Sequence, residues 1–265
     1  MKLLPVSEIN VDHSKAKEVE EIMKSTFRLI TFSRQHYADD LLNTYLSSTT
    51  NLKELLSIKN AQMEAQNEQE AEEYLGSLKE TLLFVANEIE NQVDFTKEVQ
   101  LFQLFRSTSP DSHENHPNRY RDKLVQIGAH ICPEPREVPG LVSQLLYNMN
   151  SIKNPIIKAI YFHHEMIRIH PFVDGNGRTT RVANNWILMF NLYPPAFIRD
   201  NNEKTVYINT LSKSFALLDK NATTWNAETS LFFEQEIERL RDNCQLVYEA
   251  VKKLGEKRSL AKQSS

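Results

Sequence analysis

The sequence predicts a mainly α-helical protein, and three observations support that fold class. Glycine, which destabilises helices, occurs only 6 times in 265 residues. Stretches rich in the strong helix formers Leu, Glu, Lys, Gln and Ala run through much of the chain. Apolar side chains also recur at helical spacing within residues 41–91, as in Leu82, Val85, Ala86 and Ile89. Residues 1–110 are therefore expected to form a helical N-terminal subdomain.

Two stretches interrupt the helical pattern. The segment from Ser107 to Asn118 is dense in turn-forming residues, so it is expected to be a loop or a subdomain boundary. Three prolines in the segment from Ile131 to Pro139 argue against a helix and favour an extended segment or a short edge hairpin. That is the one β-like stretch the sequence predicts.

Two further helices are predicted in residues 111–225, which we take as the core. Asn154 and Pro155 provide an N-cap and a first helical residue, and Pro171 should end that helix near His170. The next helix should begin around Arg178 and end before the prolines at positions 194 and 195. Residues 226–265 are expected to form a C-terminal helix and tail.

Composition limits the classes of function. The net charge is -4, so there is no global basic field, and a nucleic-acid partner is not expected without a local patch. Cys132 and Cys244 lack the spacing of a disulfide framework or a zinc site. No apolar run approaches the ~18 residues that a membrane span needs. The sequence thus predicts a cytoplasmic protein without a membrane partner.

The segment from His170 to Arg181 combines several groups that suit a phosphate ligand. Gly175 and Gly177 permit positive φ, and a Gly-Asn-Gly turn that leads into a helix leaves backbone N–H groups pointing at one spot. Such a spot attracts anions. Arg178 and Arg181 are neighbours on the first helical turn, and guanidinium groups bind phosphate oxygens in pairs. The expected ligand is a polyphosphate.

Two other side chains in this segment supply chemistry. Asp174 offers a hard carboxylate oxygen beside the phosphates, which is how Mg²⁺ is usually held. His170 lies at the entrance of the loop, where an imidazole with near-neutral pKa can accept a proton from an attacking hydroxyl. The residues together predict Mg²⁺-dependent attack on a nucleotide phosphate, although each of them alone is more often structural.

Two other classes of function compete with this interpretation. A metal hydrolase would use the crowded His163, His164, Glu165 and His170, but on a helix His163 and His170 are about 10.5 Å apart, too far for one metal ion. The second alternative is a regulatory protein that binds nucleotide without turnover, such as an antitoxin-like or DNA-associated module. Phosphate binding alone does not require a base at position 170, which argues against that class.

The segment matches every specified position of the signature H-x-F-x-[D/E]-G-N-[G/K]-R-x-x-R, and so resembles the Fic (filamentation induced by cAMP) domain. The resemblance covers about residues 118–212. It implies a Fic-type helical bundle with a short β-hairpin flap beside the active site. It also implies Mg²⁺-dependent transfer of AMP from ATP to a Ser, Thr or Tyr hydroxyl of a target protein. The glycine at position 175 matches the AMP-transferring relatives rather than the phosphorylating ones.

The resemblance also assigns roles to individual residues. His170 is the general base, Asp174 the Mg²⁺ ligand and Phe172 a buried anchor. The flap is the segment from Ile131 to Arg136, which aligns the target as an added strand. The nucleotide-binding roles fall on an anion hole of Gly175, Asn176 and Gly177, on Arg178 at the γ-phosphate, on Arg181 at the β-phosphate side and on Tyr207 beside the adenine.

Many Fic proteins resemble one another in an inhibitory helix, [S/T]-x-x-x-E-[G/N]. The best match here runs from Ala86 to Asn91, with Ala86 in place of the expected hydroxyl residue. The resemblance predicts that Glu90 inhibits the enzyme by pairing with Arg178, and in some relatives the same Glu serves the reverse removal of AMP. Similar proteins form homodimers, and nothing in the sequence decides whether this chain does.

Overall fold

A computed structural model describes residues 1–31, 68–196, 198, 200–220 and 224–263 of the chain. Within these ranges the helices are α1 (His13–Thr31), α2 (Glu68–Glu90), α3 (Glu98–Thr108), α4 (Pro110–Asn115), α5 (Val138–Asn150), α6 (Pro155–Ile169), α7 (Asn176–Phe190), α8 (Asn201–Lys220) and α9 (Ala227–Gln263). Two short strands, β1 (Gln126–Ile127) and β2 (His130–Ile131), pair antiparallel as a hairpin. The predicted mainly α class with one short hairpin is therefore confirmed. Positions 41–67 of the predicted N-terminal helical region lie outside the described residues.

The centre of the fold is α6, which is buried on nearly all sides. Thirteen of its fifteen residues are buried, from Ile156 and Ile157 to Ile169. A helix that is buried all round needs neighbours on every face, and α6 packs against α5, α7 and α9. The last residue of α6 directly precedes the glycine-rich loop, so the position of this loop is set by the most enclosed helix of the protein.

Asn154 and Pro155 start α6 as the sequence predicts. The Asn154 side chain accepts hydrogen bonds from the backbone N–H groups of Ile156 (2.9 Å) and Ile157 (3.2 Å), and it donates to Glu20 of α1 (3.0 Å). One side chain therefore satisfies two of the free donors at the helix start and ties α6 to α1.

The helix that follows the loop, α7, is fixed by a buried tryptophan. Trp186 donates its indole N–H to the Val93 carbonyl (3.0 Å), and its ring contacts Phe84 of α2 and Phe95. Val182 and Ile187 are also buried. α7 thus holds the loop against α6 on one side and against the end of α2 on the other.

Helix α2 has the helical spacing that the sequence predicts. Its buried residues are Ala71, Tyr74, Leu78, Thr81 and Val85, which follow the 3–4 spacing of a helix. Of the four apolar residues identified by their spacing, Val85 is buried, Leu82 and Ile89 are partly buried against the core, and Ala86 is exposed.

Prolines begin helices in both stretches where the sequence predicted interruption. Pro110 is at the first turn of α4, so the segment from Ser107 to Asn118 is largely helical rather than a loop. Pro139 lies in the first turn of α5, and Pro135 begins a short 3₁₀ turn. Proline is compatible with a first turn because the N–H groups there have no partner within the helix. The hairpin lies just before these prolines.

None of the helices in the described ranges is long and apolar enough to cross a membrane.

Replacing Asn154 with Ala should lower the free energy of unfolding by about 1 kcal/mol, because the cap of α6 is lost. Urea denaturation followed by circular dichroism measures the change. Asn154→Ser is the matched control, since a serine hydroxyl also caps a helix, and it should retain most of the stability. Equal losses in both variants would contradict a capping role and would assign the effect to the contact with Glu20.

Candidate active site

The loop between α6 and α7 begins with a residue in an uncommon backbone conformation. His170 has φ 51° and ψ 62°, in the left-handed region, and its backbone N–H donates to the Met166 carbonyl (3.0 Å) as the C-cap of α6. A non-glycine residue is rarely found there unless the surrounding structure holds it. The turn at His170 directs the chain away from the helix axis and places the imidazole at the start of the loop.

The loop is closed from the inside by one amide side chain. Asn176 accepts a hydrogen bond from the backbone N–H of Phe172 (2.8 Å) and donates one to the carbonyl of the same residue (2.9 Å). The Phe172 ring stacks on Phe105 of α3, with ring centroids 3.9 Å apart and only 1% of Phe172 exposed. Phe172 is thus the buried anchor that was expected, and the side chain of Asn176 is committed to the loop itself.

The two glycines of the loop are required for different reasons. Gly175 has φ 72°, and a Cβ there would lie 1.8 Å from the Ser109 hydroxyl oxygen, so a larger residue is excluded by conformation and by space. Gly177 does not share the positive φ expected for it, because α7 already begins at Asn176. A Cβ at Gly177 would instead meet the guanidinium of Arg181 at 2.9 Å. Gly177 therefore gives Arg181 room to lie against the start of α7.

Arg178 and Asp174 pair with each other across one helical turn. Arg178 Nη2 lies 2.9 Å from Asp174 Oδ2, and its guanidinium also lies over the Tyr74 ring at 5.5 Å. Both residues line a cavity of about 120 Å³. Its other walls are residues of α2 and of the junction between α3 and α4, namely Glu73, Tyr74, Ser77, Thr108, Ser109, Pro110, Asp111 and Ser112.

Asp174 has the properties of a single-carboxylate Mg²⁺ ligand. Its side chain is 58% exposed, so its oxygens are open to the cavity and to solvent. Mg²⁺ that binds nucleotide usually takes one or two protein carboxylates and completes its shell with phosphate oxygens and water. The donor set fits that arrangement, and Asp174 would exchange its pairing with Arg178 for the metal ion.

His170 is neutral at physiological pH. Burial lowers the pKa of His170 to about 4, and the Ile167 carbonyl opposes the shift while the charge of Arg121 adds to it. Its Nδ1 atom is buried without a hydrogen-bond partner. A neutral imidazole can accept a proton, as a general base must.

Tyr207 is part of the core beside this site. It is 6% exposed, and its hydroxyl lies 2.8 Å from His163 Nε2. Burial, together with the charges of Arg181 and Arg239, lowers the pKa of His163, so this histidine is neutral and the tyrosine can donate to it. The structure thus places Tyr207 in a chain of buried side chains that leads towards Arg181. It does not line the cavity beside Arg178.

The structure separates Glu90 from Arg178. Glu90 is exposed at the C-terminal end of α2, whereas the residue of α2 that contacts Arg178 is Tyr74. Sixteen helical residues span about 24 Å, so the predicted pair between Glu90 and Arg178 does not form here. The expectation was wrong because α2 crosses the loop at its N-terminal half, where Glu73 and Tyr74 line the cavity.

The buried polar residues of α6 have structural partners. His164 lies 2.8 Å from Glu165 and 2.9 Å from Ser214, and Glu165 also accepts from the backbone N–H of Leu4 (3.1 Å). In the described part of the chain no group of three His, Cys, Asp or Glu residues could hold a metal ion. His164 and Glu165 thus have hydrogen-bond partners within the protein.

Three residues at the site were given no role from the sequence. Ser109 contacts Gly175, Tyr74 contacts Arg178, and the Arg121 guanidinium donates to the His170 carbonyl (2.8 Å). Tyr74 and Ser109 carry no motif. Arg121 lies at the N-terminal edge of the segment that resembles the Fic domain, and this position is the only sequence signal for it.

Comparison with known proteins agrees with this geometry. A protein adenylyltransferase Fic of Nematostella vectensis is 32% identical over 146 residues, which are 53% of this chain and 34% of that protein. The chain thus spans about a third of the length of this relative. A Fic-domain signaling protein of Bacteroides thetaiotaomicron has a similar structure, with a TM-score of 0.66, 16% identity and coverage of 89% and 98% of the two chains. A structure of IbpAFic2 in complex with adenylylated Cdc42 has a TM-score of 0.51 at 17% identity, with coverage of 86% and 76%.

The chain also matches the model of a protein family. The model of the family described as Fic/DOC covers residues 49–188, slightly more than half of the chain. That range includes the loop, α6, most of α7, the hairpin and α2. The chain therefore belongs to the Fic/DOC family.

Proposed function

We propose that this chain is a nucleotidyltransferase that moves AMP from ATP to a hydroxyl side chain of a target protein. The observation that carries the proposal is the position of the His170 imidazole, whose pKa is lowered by burial, at one end of the loop. The other end of the loop carries Arg178, Arg181 and the start of α7. A base and a polyphosphate site so close together serve transfer rather than binding alone. The relative from Nematostella vectensis, which is named a protein adenylyltransferase, supports the same chemistry.

The reaction requires one proton transfer and one exchange at phosphorus. The target hydroxyl gives its proton to His170 while its oxygen forms a bond to the α-phosphorus of ATP. The bond between that phosphorus and the oxygen bridging to the β-phosphate breaks, and pyrophosphate leaves with the electron pair. The target then carries AMP as a phosphodiester. Adenylylated Cdc42 in the related complex is a product of this kind.

The loop supplies binding and charge for the leaving group. Backbone N–H groups at the start of α7 face the phosphates, where a helix N-terminus favours negative charge. Arg178 and Arg181 compensate the charge that develops on pyrophosphate, the kind of stabilisation that usually contributes most to catalysis. Asp174 would hold Mg²⁺, which neutralises phosphate charge when it is bound.

Regulation by Glu90 is not part of the proposed function, because Glu90 lies sixteen residues along α2 from Tyr74, the residue of this helix that contacts Arg178. The reverse removal of AMP had been linked to the same Glu, so it also loses its assigned residue. The proposal therefore concerns the forward transfer alone.

Intact mass spectrometry after incubation with ATP, Mg²⁺ and a cell lysate tests the transfer and the role of His170. Wild type should attach AMP to itself or to lysate proteins, and His170→Ala should lower the rate at least about 100-fold, since a positioned base contributes that much. His13→Ala, which changes an exposed histidine of α1, is the control. If wild type binds ATP but modifies no protein, the chain is a nucleotide-binding protein without turnover.

The pH dependence should reflect the low pKa of His170. Because its pKa is about 4 in the folded protein and 6.5 in an ordinary histidine, the imidazole stays unprotonated down to about pH 4. The acid limb of kcat/KM should then have an apparent pKa near 4 rather than 6.5. The unfolded chain binds more protons between these values, so stability should also fall as the pH is lowered from 6.5 towards 4. An acid limb near pH 6.5 that disappears in His170→Ala would contradict the burial of this group.

Gly177→Ala should weaken ATP binding while the protein remains folded. The new methyl group would meet the mobile end of the Arg181 side chain, so it moves the guanidinium rather than the backbone. We expect an increase of about 10-fold in the Kd for ATP, since one charged hydrogen bond contributes about that factor. Isothermal titration calorimetry measures it. Gly140→Ala, where a Cβ meets nothing within 4 Å, is the matched control and should bind as wild type does.

A further inference from the structure

Arg121 holds two separate parts of the site with one buried guanidinium. The residue is only 2% exposed. Its Nε donates to the His170 carbonyl (2.8 Å), and its Nη2 donates to the Pro133 carbonyl (2.6 Å). Two further carbonyl contacts complete the set, from Nη1 to Lys123 (2.8 Å) and from Nη2 to Ile169 (3.4 Å). All four acceptors are backbone groups.

These acceptors come from two separate segments of the chain. Lys123 and Pro133 flank the hairpin, whereas Ile169 and His170 are the end of α6. The backbone N–H of Arg121 adds a fifth bond to the Pro171 carbonyl (2.8 Å). The hairpin and the end of α6 are therefore held in one position relative to each other by a single side chain.

The end of α6 is where such a donor is needed. The last carbonyls of a helix have no partner within the helix, and they carry partial negative charge. His170 is also in the left-handed region, which requires support from outside its own segment. Arg121 provides that support because it donates to the carbonyl of His170 itself.

Burying the charged guanidinium of Arg121 costs free energy, which its hydrogen bonds to backbone carbonyls offset. Burial lowers the pKa of Arg121, and its guanidinium is satisfied by carbonyl groups rather than by a paired carboxylate. An apolar side chain of similar volume would avoid this cost. What an apolar side chain lacks is the planar set of donors that reaches four carbonyls at once.

We propose that Arg121 is a positioning residue that fixes the His170 backbone relative to the hairpin, so that the imidazole meets a protein hydroxyl presented at the hairpin. The proposal rests on the proposed function for its effect on turnover. Its effect on His170 itself does not require turnover, so the two can fail separately.

The charge of Arg121 also acts on the imidazole directly. Burial is the main reason for the lowered pKa of His170, and the other charged or titratable groups that face it are Arg121, Asp174 and His130. Arg121 and His130 oppose protonation, whereas Asp174 favours it. Removing the guanidinium should therefore move the pKa of His170 upwards.

The test compares Arg121→Lys and Arg121→Gln with wild type, and uses Arg119→Gln as a matched control because Arg119 is exposed two positions away. Lysine keeps the charge but cannot reach carbonyls on both sides, and glutamine loses both properties. Both variants should lower kcat by about 100-fold with less than a twofold change in KM for ATP, since misplacement by about 1 Å has an effect of that size.

NMR titration of ¹³C-labelled histidine, with His170→Ala to assign the signal, gives a measurement that needs no turnover. We expect His170 to have a higher pKa in Arg121→Gln than in wild type. We also expect Arg121→Lys to show a changed His170 chemical shift, whereas Arg119→Gln should match wild type in both experiments.

Three results would overturn the proposal. One is an Arg121→Lys protein with the kcat and the His170 signal of wild type. Another is a variant whose lower activity is explained entirely by a smaller folded fraction and whose His170 NMR signal is unchanged. The third is failure of both variants to fold, which would make Arg121 purely structural. If wild type transfers no AMP while the NMR shifts occur as expected, the proposed function fails and the positioning role stands.

Discussion

The positions of the groups at the site depend on two buried side chains, Phe172 and Asn176, which fix the conformation of the loop. The stacked ring fixes one end of the turn against α3, and the amide of Asn176 spans the turn with two hydrogen bonds to a single residue. Because both side chains are buried, the loop has no freedom to relax around a misplaced ligand. His170 on one side and Arg178 on the other are consequently held as parts of one rigid unit.

The sequence predicted the parts of this site that are contiguous along the chain. His170, Asp174, Gly175 and Arg178 follow one another within nine residues, so local rules for turns, helix starts and anion binding sufficed. The start of α6 at Asn154 was predictable for the same reason, since the cap acts on the residues two and three positions further along. In each case the interacting residues lie close together in the sequence.

What could not be predicted arises from contacts between distant segments. Ser109 meets Gly175, and Tyr74 meets Arg178 across about a hundred residues, without any local signal. Glu90 was misplaced for a related reason: periodicity shows that a helix is amphipathic, but it does not show which turn crosses the loop. Gly177 was identified correctly as a required glycine but for the wrong cause, because the space taken by Arg181 appears only in three dimensions.

The pairing of Asp174 with Arg178 has a consequence for the order of events at the site. In the loop each of these groups neutralises the charge of the other. Under the proposed function, a cation at the Asp174 carboxylate and a phosphate at the Arg178 guanidinium would both replace this ion pair. By linkage, each ligand must strengthen the binding of the other by the same factor. The loop would thus favour a metal–nucleotide complex over either component alone, and this preference would originate in the ion pair between Asp174 and Arg178.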